Sequence, residues 1–175
     1  FNPRVVLDIG ASNGCWSYCC GNVFPSAKYY LVEPLPFHED SFAPNTNHEW
    51  HRLHYALGAV DGTLEMQIPS KSSALFDATA AHPINTRSVQ WHPCEVKVAR
   101  FDTLFEEGIV EMPDLVKIDV QGYEAEVLAG SSELWGNVEV FMVELSLKRY
   151  WDDCKLLHEM IAIFASRGYL PFEFY

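Results

Sequence analysis

The chain has 175 residues, of which 49% are hydrophobic and 21% charged, and a formal net charge of −12. That length suits one domain over residues 1–175, with apolar residues enough for a sizeable core. The acidic balance counts against nucleic acid and anionic membrane surfaces, which select clustered Lys and Arg, and no apolar run approaches the roughly 18 residues of a membrane span.

In chain order, Val5–Ile9 is a short aliphatic and β-branched run, the pattern of a strand buried on both faces. Gly10-Ala11-Ser12-Asn13-Gly14 breaks it, and a helix is predicted over Asn13–Asn22. Phe24-Pro25-Ser26 turns the chain into a second strand, Lys28–Glu33. Pro34-Leu35-Pro36 stops that strand, a short helix is expected over Phe37–Phe42, and Asn45–Asn47 is a loop. A third strand is predicted over Trp50–Leu57, with mixed alternation, and Asp61-Gly62 is a hairpin signal joining it to Thr63–Ile68. Pro69–Pro93 is irregular and long, which suits a lid on the acceptor side of a site.

Glu95–Ala99 returns as a strand, and Asp102 is placed to N-cap a helix running through Glu107 to Gly108. Asp114–Val120 is a buried strand, Tyr123–Ala129 a helix ended by Gly130, and Val138–Leu145 another apolar strand. Trp151–Arg167 carries Leu156, Leu157, Met160, Ile161, Phe164 and Ala165 at helical spacing, and Tyr169–Tyr175 is read as a last strand. Strands alternating with helices predict an α/β fold with a doubly wound, mostly parallel sheet. The five cysteines, Cys15, Cys19, Cys20, Cys94 and Cys154, are odd in number and lack a CxxC pair, so they read as reduced, buried thiols of a cytoplasmic protein.

Strand, glycine turn and helix together let a ligand approach backbone amides at a helix N-terminus. Glu33 closes the second apolar run, and its carboxylate there suits the two hydroxyls of a ribose. A nucleoside-containing cofactor follows. A dinucleotide site would want G-x-G-x-x-G, but Ser12 stands where the middle glycine would let a pyrophosphate lie on the backbone. A phosphate-binding P-loop would need a lysine after Gly14, and none is there. A ribose and adenine without phosphate fit better, as in S-adenosylmethionine.

The residues also carry a family resemblance. Val6–Gly14 (VLDIGASNG) and Leu31–Pro34 (LVEP) resemble the first two motifs of class I S-adenosylmethionine-dependent methyltransferases. Tyr55–Met66 (YALGAVDGTLEM), the Ser72-Ser73-Ala74-Leu75 patch, Arg100–Leu104 (RFDTL) and Asp114–Gly130 (DLVKIDVQGYEAEVLAG) resemble the FkbM family more narrowly. The likeness runs in order along nearly the whole chain. It implies a Rossmann-like methyltransferase sheet, S-adenosylmethionine as cofactor, and O-methylation of a hydroxylated small molecule or glycan. The family's D-x-E-G pattern is Asp119-Val120-Gln121-Gly122 here, and a carboxamide can neither act as a base nor balance a cation. The family sheet also has a seventh, antiparallel strand, whereas this sequence ends about where the sixth should end. Either a trimmed chain or an incomplete sheet edge is expected.

Roles follow for individual residues. Gly10 and Gly14 permit the tight turn, with Ala11 and Ser12 between them, and Asn13 would cap the helix and face the cofactor's carboxylate. Asp8 would bind the cofactor's ammonium or brace the loop, Glu33 with Pro34 would hold the ribose, and Ala56-Leu57 would lie by the adenine. Asp119, which the resemblance places beside the transferred methyl group, is the candidate base or acceptor-orienting group. Lys117, Glu124 and Glu144 are reserves, with a structural ion pair the other reading of Lys117. His48, His51 and His54 fall on alternating faces of a strand, so no metal site is expected from them. Two rivals stay open: a non-catalytic binding or scaffolding domain of the same fold, and an NAD-dependent enzyme.

Overall fold

A computed structural model describes residues 1–35, 48–69, 91–149 and 154–174. In chain order its elements are β1 (Val5–Ile9), α1 (Cys15–Val23), β2 (Lys28–Val32), β3 (Glu49–Leu53), β4 (Ala56–Leu57), β5 (Gly62–Pro69) and β6 (Trp91–Ala99). They continue with α2 (Phe101–Glu106), β7 (Leu115–Ile118), α3 (Glu124–Ala129), a 3-10 turn (Ser132–Leu134), β8 (Val140–Val143) and α4 (Leu157–Ser166). The expected helix over 37–42 and loop over 45–47 lie outside the described residues, as does most of the 69–93 stretch.

The central sheet is parallel throughout, in the order β3-β2-β1-β7-β8. Its inner strands are apolar because both faces are covered. Val5, Leu7 and Ile9 point to one face, with Tyr30, Val32, Val116 and Ile118, against Phe101 and Leu104 of α2, Val127 and Leu128 of α3, and Met160 of α4. Val6, Tyr29, Leu31 and Leu115 point to the other face, against Cys20 of α1 with Trp16 packed beside it. Each such fully buried aliphatic side chain contributes about 1.5–3 kcal/mol. The fold is the expected doubly wound α/β architecture. The strand order reverses between β1 and β7, and ligands of open α/β sheets bind outside the carboxyl ends of the strands at such a reversal.

A second sheet, ordered β4-β6-β5, adds Leu57 and Ala99 to the same core. Gly130, at the end of α3, is where the chain passes against it: a Cβ there would lie 1.9 Å from the carbonyl oxygen of Gly58.

Several expectations are corrected. Trp50–Leu57 is two strands, not one. Leu53 is the last residue paired with β2, and Ala56-Leu57 instead pair with Val98-Ala99. The Asp61-Gly62 turn does not make a hairpin of β4 and β5; β6 lies between them, parallel to β4 and antiparallel to β5. Trp91–Pro93, read as irregular, extends β6 because it finds partners in Gln67–Pro69.

Asp102 does not N-cap α2, whose N-cap is Arg100. Its buried carboxylate reaches across to the 3-10 turn and accepts hydrogen bonds from the Ser132 and Glu133 amides (3.0 and 2.9 Å) and the Ser132 hydroxyl (2.6 Å). Cys154 and Lys155 are not helical, and α4 begins at Leu157, where the Leu156 amide donates to Glu159 (2.8 Å). Tyr169–Phe174 form no strand. Tyr169 is drawn instead into an aromatic cluster with Trp135, Phe141 and Phe164, and its hydroxyl donates to the Val138 carbonyl (2.7 Å). Cys15 and Cys19 are exposed rather than buried, since they lie on the outer side of α1. No helix among the described residues is long and apolar enough to cross a membrane.

Candidate functional site

Four acidic residues stand just past the carboxyl ends of four adjacent strands or near them: Glu33 after β2, Asp8 near the end of β1, Asp119 after β7 and Glu144 after β8. The Gly10–Gly14 loop sits among them. Gly10 and Ala11 both donate their amides to the Val32 carbonyl (2.9 and 3.1 Å), which ties the loop to the end of β2. The turn needs left-handed backbone at Gly10 (φ 76°), Ser12 (φ 49°) and Gly14 (φ 77°). At Gly10 the reason is also space, because a Cβ would meet the Asp119 carbonyl oxygen at 1.9 Å. Asn13 accepts the Cys15 amide (3.1 Å) and so starts α1 from one residue before its N-cap.

Glu33 is the loop's second anchor. One carboxylate oxygen accepts the Ser12 amide (3.0 Å) and the other the Leu35 amide (3.2 Å). A carboxylate offers about four lone-pair positions, so acceptor capacity remains for two hydroxyls. Burial pushes its carboxyl above the ordinary glutamate range, against the two amide hydrogen bonds that lower it. Pro34 is half-buried beside it and Ala11 is buried under the loop.

Beneath the loop lies a buried ion pair. Asp8 is 0% exposed, on the α1 face of β1, and accepts the Ser17 hydroxyl (2.6 Å). Its register partner on β7 is Lys117, whose ammonium is 3.0 Å from the Asp8 carboxylate. The same ammonium donates to the Gly10 carbonyl (2.9 Å), lies 3.4 Å from the Asp119 carboxylate and stands over the Trp16 ring at 6.0 Å. Burial raises the Asp8 carboxyl above its ordinary value, although Lys117 and Ser17 pull it down. Lys117 is therefore structural: it joins the loop, β1 and the Asp119 turn through one charge.

At the β7 end, Asp119 donates its amide to the Ile9 carbonyl (3.0 Å). Gln121, in left-handed backbone (φ 58°), spans two carboxylates through one amide nitrogen, donating to Asp119 (2.8 Å) and to Glu144 (2.7 Å). The carboxamide thus takes a role the sequence did not suggest, as a donor between acids. Glu124 turns inward and accepts the Gly122 and Val120 amides (2.9 and 3.3 Å), so it holds the turn that presents Asp119 and Gln121. Glu144 is pushed up to about 7, first by burial and then by its hydrogen bond with Asp119 and that residue's charge.

Other sequence candidates lie elsewhere. Ala56 and Leu57 belong to the second sheet, Leu57 inside the core. His48 contacts the Pro25 carbonyl (2.8 Å), and His51 stacks on Tyr30 and meets Glu49 (2.9 Å). A cleft of about 510 Å³ opens at the opposite, amino end of the strands, lined by Arg4, Lys28, His48, Glu49 and Glu111. That end of a parallel sheet is not where such folds bind ligands, and Lys28 there is already paired with Glu49 and Glu111.

Residues 8–171 match the family model described as a methyltransferase FkbM domain. The chain belongs to the FkbM methyltransferase family. Two curated relatives bear on it. One is a hexuronic acid methyltransferase, AglP, of Haloferax volcanii, 28% identical over 144 residues that cover 81% of this chain and 55% of the relative. Another is Methyltransferase 1 of Beauveria bassiana, 26% identical over 160 residues that cover 80% of this chain and 64% of the relative. The chain thus spans between about half and two thirds of the length of these relatives. No solved structure gives a significant match. The match begins at Asp8 and takes in the switch-point site described above.

Proposed function

We propose that this chain binds S-adenosylmethionine across the carboxyl ends of β1 and β2 and transfers its methyl group to a hydroxyl of a small molecule or glycan. The observation that carries the reading is Glu33: its carboxylate is tied to the Gly10–Gly14 loop through the Ser12 amide, with acceptor capacity left for a ribose. Gly10, Ala11, Ser12, Asn13 and Gly14 would cradle the amino-acid part, and Pro34 would border the ribose. Ala56 and Leu57 stay as candidates for the adenine wall. Asp8, wholly buried, would brace the loop rather than touch the cofactor.

The local charge fits this ligand. Asp8, Glu33 and Asp119 stand at adjacent strand ends with Lys117 among them, an acidic surplus suited to a cationic molecule. When bound, the cofactor supplies an electrophilic methyl on a positively charged sulfur. The chain's work is then to hold the two reactants in line and to accept a proton, with Asp119 at the end of β7 positioned to orient the acceptor. The hexuronic acid named for one relative makes sugars reasonable first acceptors to assay.

Calorimetry with S-adenosylhomocysteine tests cofactor binding, and transfer of isotope-labelled methyl to a sugar panel tests the reaction. The carboxamide at Gln121, where the family pattern has an acid, motivates a second reading, a binding domain without turnover. Cofactor binding with no transfer across the panel would select it.

A further inference from the structure

We propose that Glu144, clamped with Asp119 by the Gln121 carboxamide, is the group that takes the proton from the acceptor hydroxyl. This rests on the methyl-transfer reading and names the base that reading leaves open. The geometry comes first. Glu144 follows β8 directly, its amide bound to the Ile118 carbonyl (2.9 Å), so its side chain emerges at the same carboxyl edge as Asp119 and the glycine loop. Strands lie about 4.8 Å apart, so Glu144 stands one strand beyond Asp119 and about 10 Å from the end of β1. On the cofactor reading above, an acceptor would sit on that side of the loop.

The clamp explains why Gln serves at position 121. Its one nitrogen carries two protons, and both are used, one on each carboxylate. A glutamate there would bring a third negative charge onto two that already repel. The amide nitrogen holds Asp119 at 2.8 Å and Glu144 at 2.7 Å, and two carboxylates gathered on one donor hold a proton that a lone surface carboxyl would lose. Among the described residues, the charged groups facing Glu144 are Asp119 and Lys117 from the β7 side and Glu124 from α3. Burial raises its proton affinity most, the two acids raise it further, and Lys117 lowers it. The result, a carboxyl pushed up to about 7, matches the proton affinity that general-base catalysis favours at neutral pH.

The step balances simply. The acceptor oxygen donates a lone pair to the methyl carbon, the carbon–sulfur bond breaks, and its electron pair stays on sulfur, which becomes a neutral thioether. The hydroxyl proton passes to the Glu144 carboxylate and from there to water. An acceptor that is already a carboxylate would need no base and would be repelled by the pair, so the site favours a neutral hydroxyl.

The test is a pH titration of the protein's ¹³C-labelled carboxyl groups by NMR, in wild type and in Glu144→Gln and Gln121→Met variants. S-adenosylhomocysteine affinity is measured in parallel by calorimetry. The expected result is one carboxyl titrating near pH 7, absent in Glu144→Gln and displaced in Gln121→Met, with cofactor affinity within about twofold of wild type in both. Labelled methyl transfer to methyl glucoside should fall at least ~100-fold in Glu144→Gln, the lower end of what a general base contributes. If Glu144 titrates with ordinary glutamates, or if glucuronic acid is methylated at its carboxylate in preference to the glucoside, the assignment is overturned. Equal transfer rates in wild type and Glu144→Gln would overturn it as well. Absence of S-adenosylhomocysteine binding in wild type would instead overturn the cofactor reading and leave the titration result standing by itself.

Discussion

Replacing Lys117 by methionine tests the claim that one buried cation joins the glycine loop to the β7 turn. Methionine keeps much of the side-chain volume but removes the charge. Asp8 is 0% exposed and would keep only the Ser17 hydroxyl, while the Gly10 carbonyl would lose its donor. Breaking a buried pair by deleting one partner costs about 3–5 kcal/mol, and that is the expected loss in urea-induced unfolding at pH 7. Adding Asp8→Asn should recover roughly 2 kcal/mol, because the remaining buried charge is then gone.

The pH dependence has a definite sign. The Asp8 carboxyl is raised in the folded protein, so the native state binds more protons than the unfolded chain above the ordinary aspartate range, and stability contributed by this group falls as pH rises. Without Lys117, the strongest influence holding the Asp8 carboxyl down is lost, so the variant's deficit should grow from acidic to neutral pH. A deficit below about 1 kcal/mol at pH 7, or an Asp8→Asn substitution that adds to the loss instead of relieving it, would refute the account of Lys117 as the buried counter-charge.

Two further substitutions probe the frame of the site. Gly10→Ala places a Cβ 1.9 Å from the Asp119 carbonyl oxygen in left-handed backbone, so the loop must move; the expected result is a tenfold or greater loss of S-adenosylhomocysteine affinity. Gly136→Ala is its control, with positive φ but nothing within 4 Å of the added atom, and should cost only about 1–2 kcal/mol of stability with binding unchanged. Asp102→Ala leaves the Ser132 and Glu133 amides without their acceptor and should lower stability by about 2–4 kcal/mol in the same urea assay.

The parts of the fold legible in the sequence were those whose signal is local. Val5–Ile9, Lys28–Val32 and Leu115–Ile118 are apolar runs because both sheet faces are covered, and covering leaves a mark on every residue of the strand. The glycine loop and Glu33 were legible because their chemistry is contiguous with those strands. What failed depended on distant partners. The break between Leu53 and Ala56 is set by β6, more than thirty residues on, and no residue at the break is a strong strand breaker. Asp102 looks like an N-cap from its neighbours, yet its acceptors are used by amides some 30 residues away. Gln121 looks like a lost acid in the sequence, which does not reveal that two carboxylates converge on it. Likewise the Asp8–Lys117 pair becomes visible only once β1 and β7 are known to be adjacent and in register.

The central claim is that Glu33 and the Gly10–Gly14 loop form a site for the adenosyl cofactor. Calorimetry of S-adenosylhomocysteine binding to wild type and to Glu33→Ala, at micromolar protein, tests it most directly. The account predicts binding by wild type and a loss of about 1.5–3 kcal/mol in the variant, or roughly 10- to 150-fold. No binding by wild type, or equal affinity in the two proteins, would contradict it.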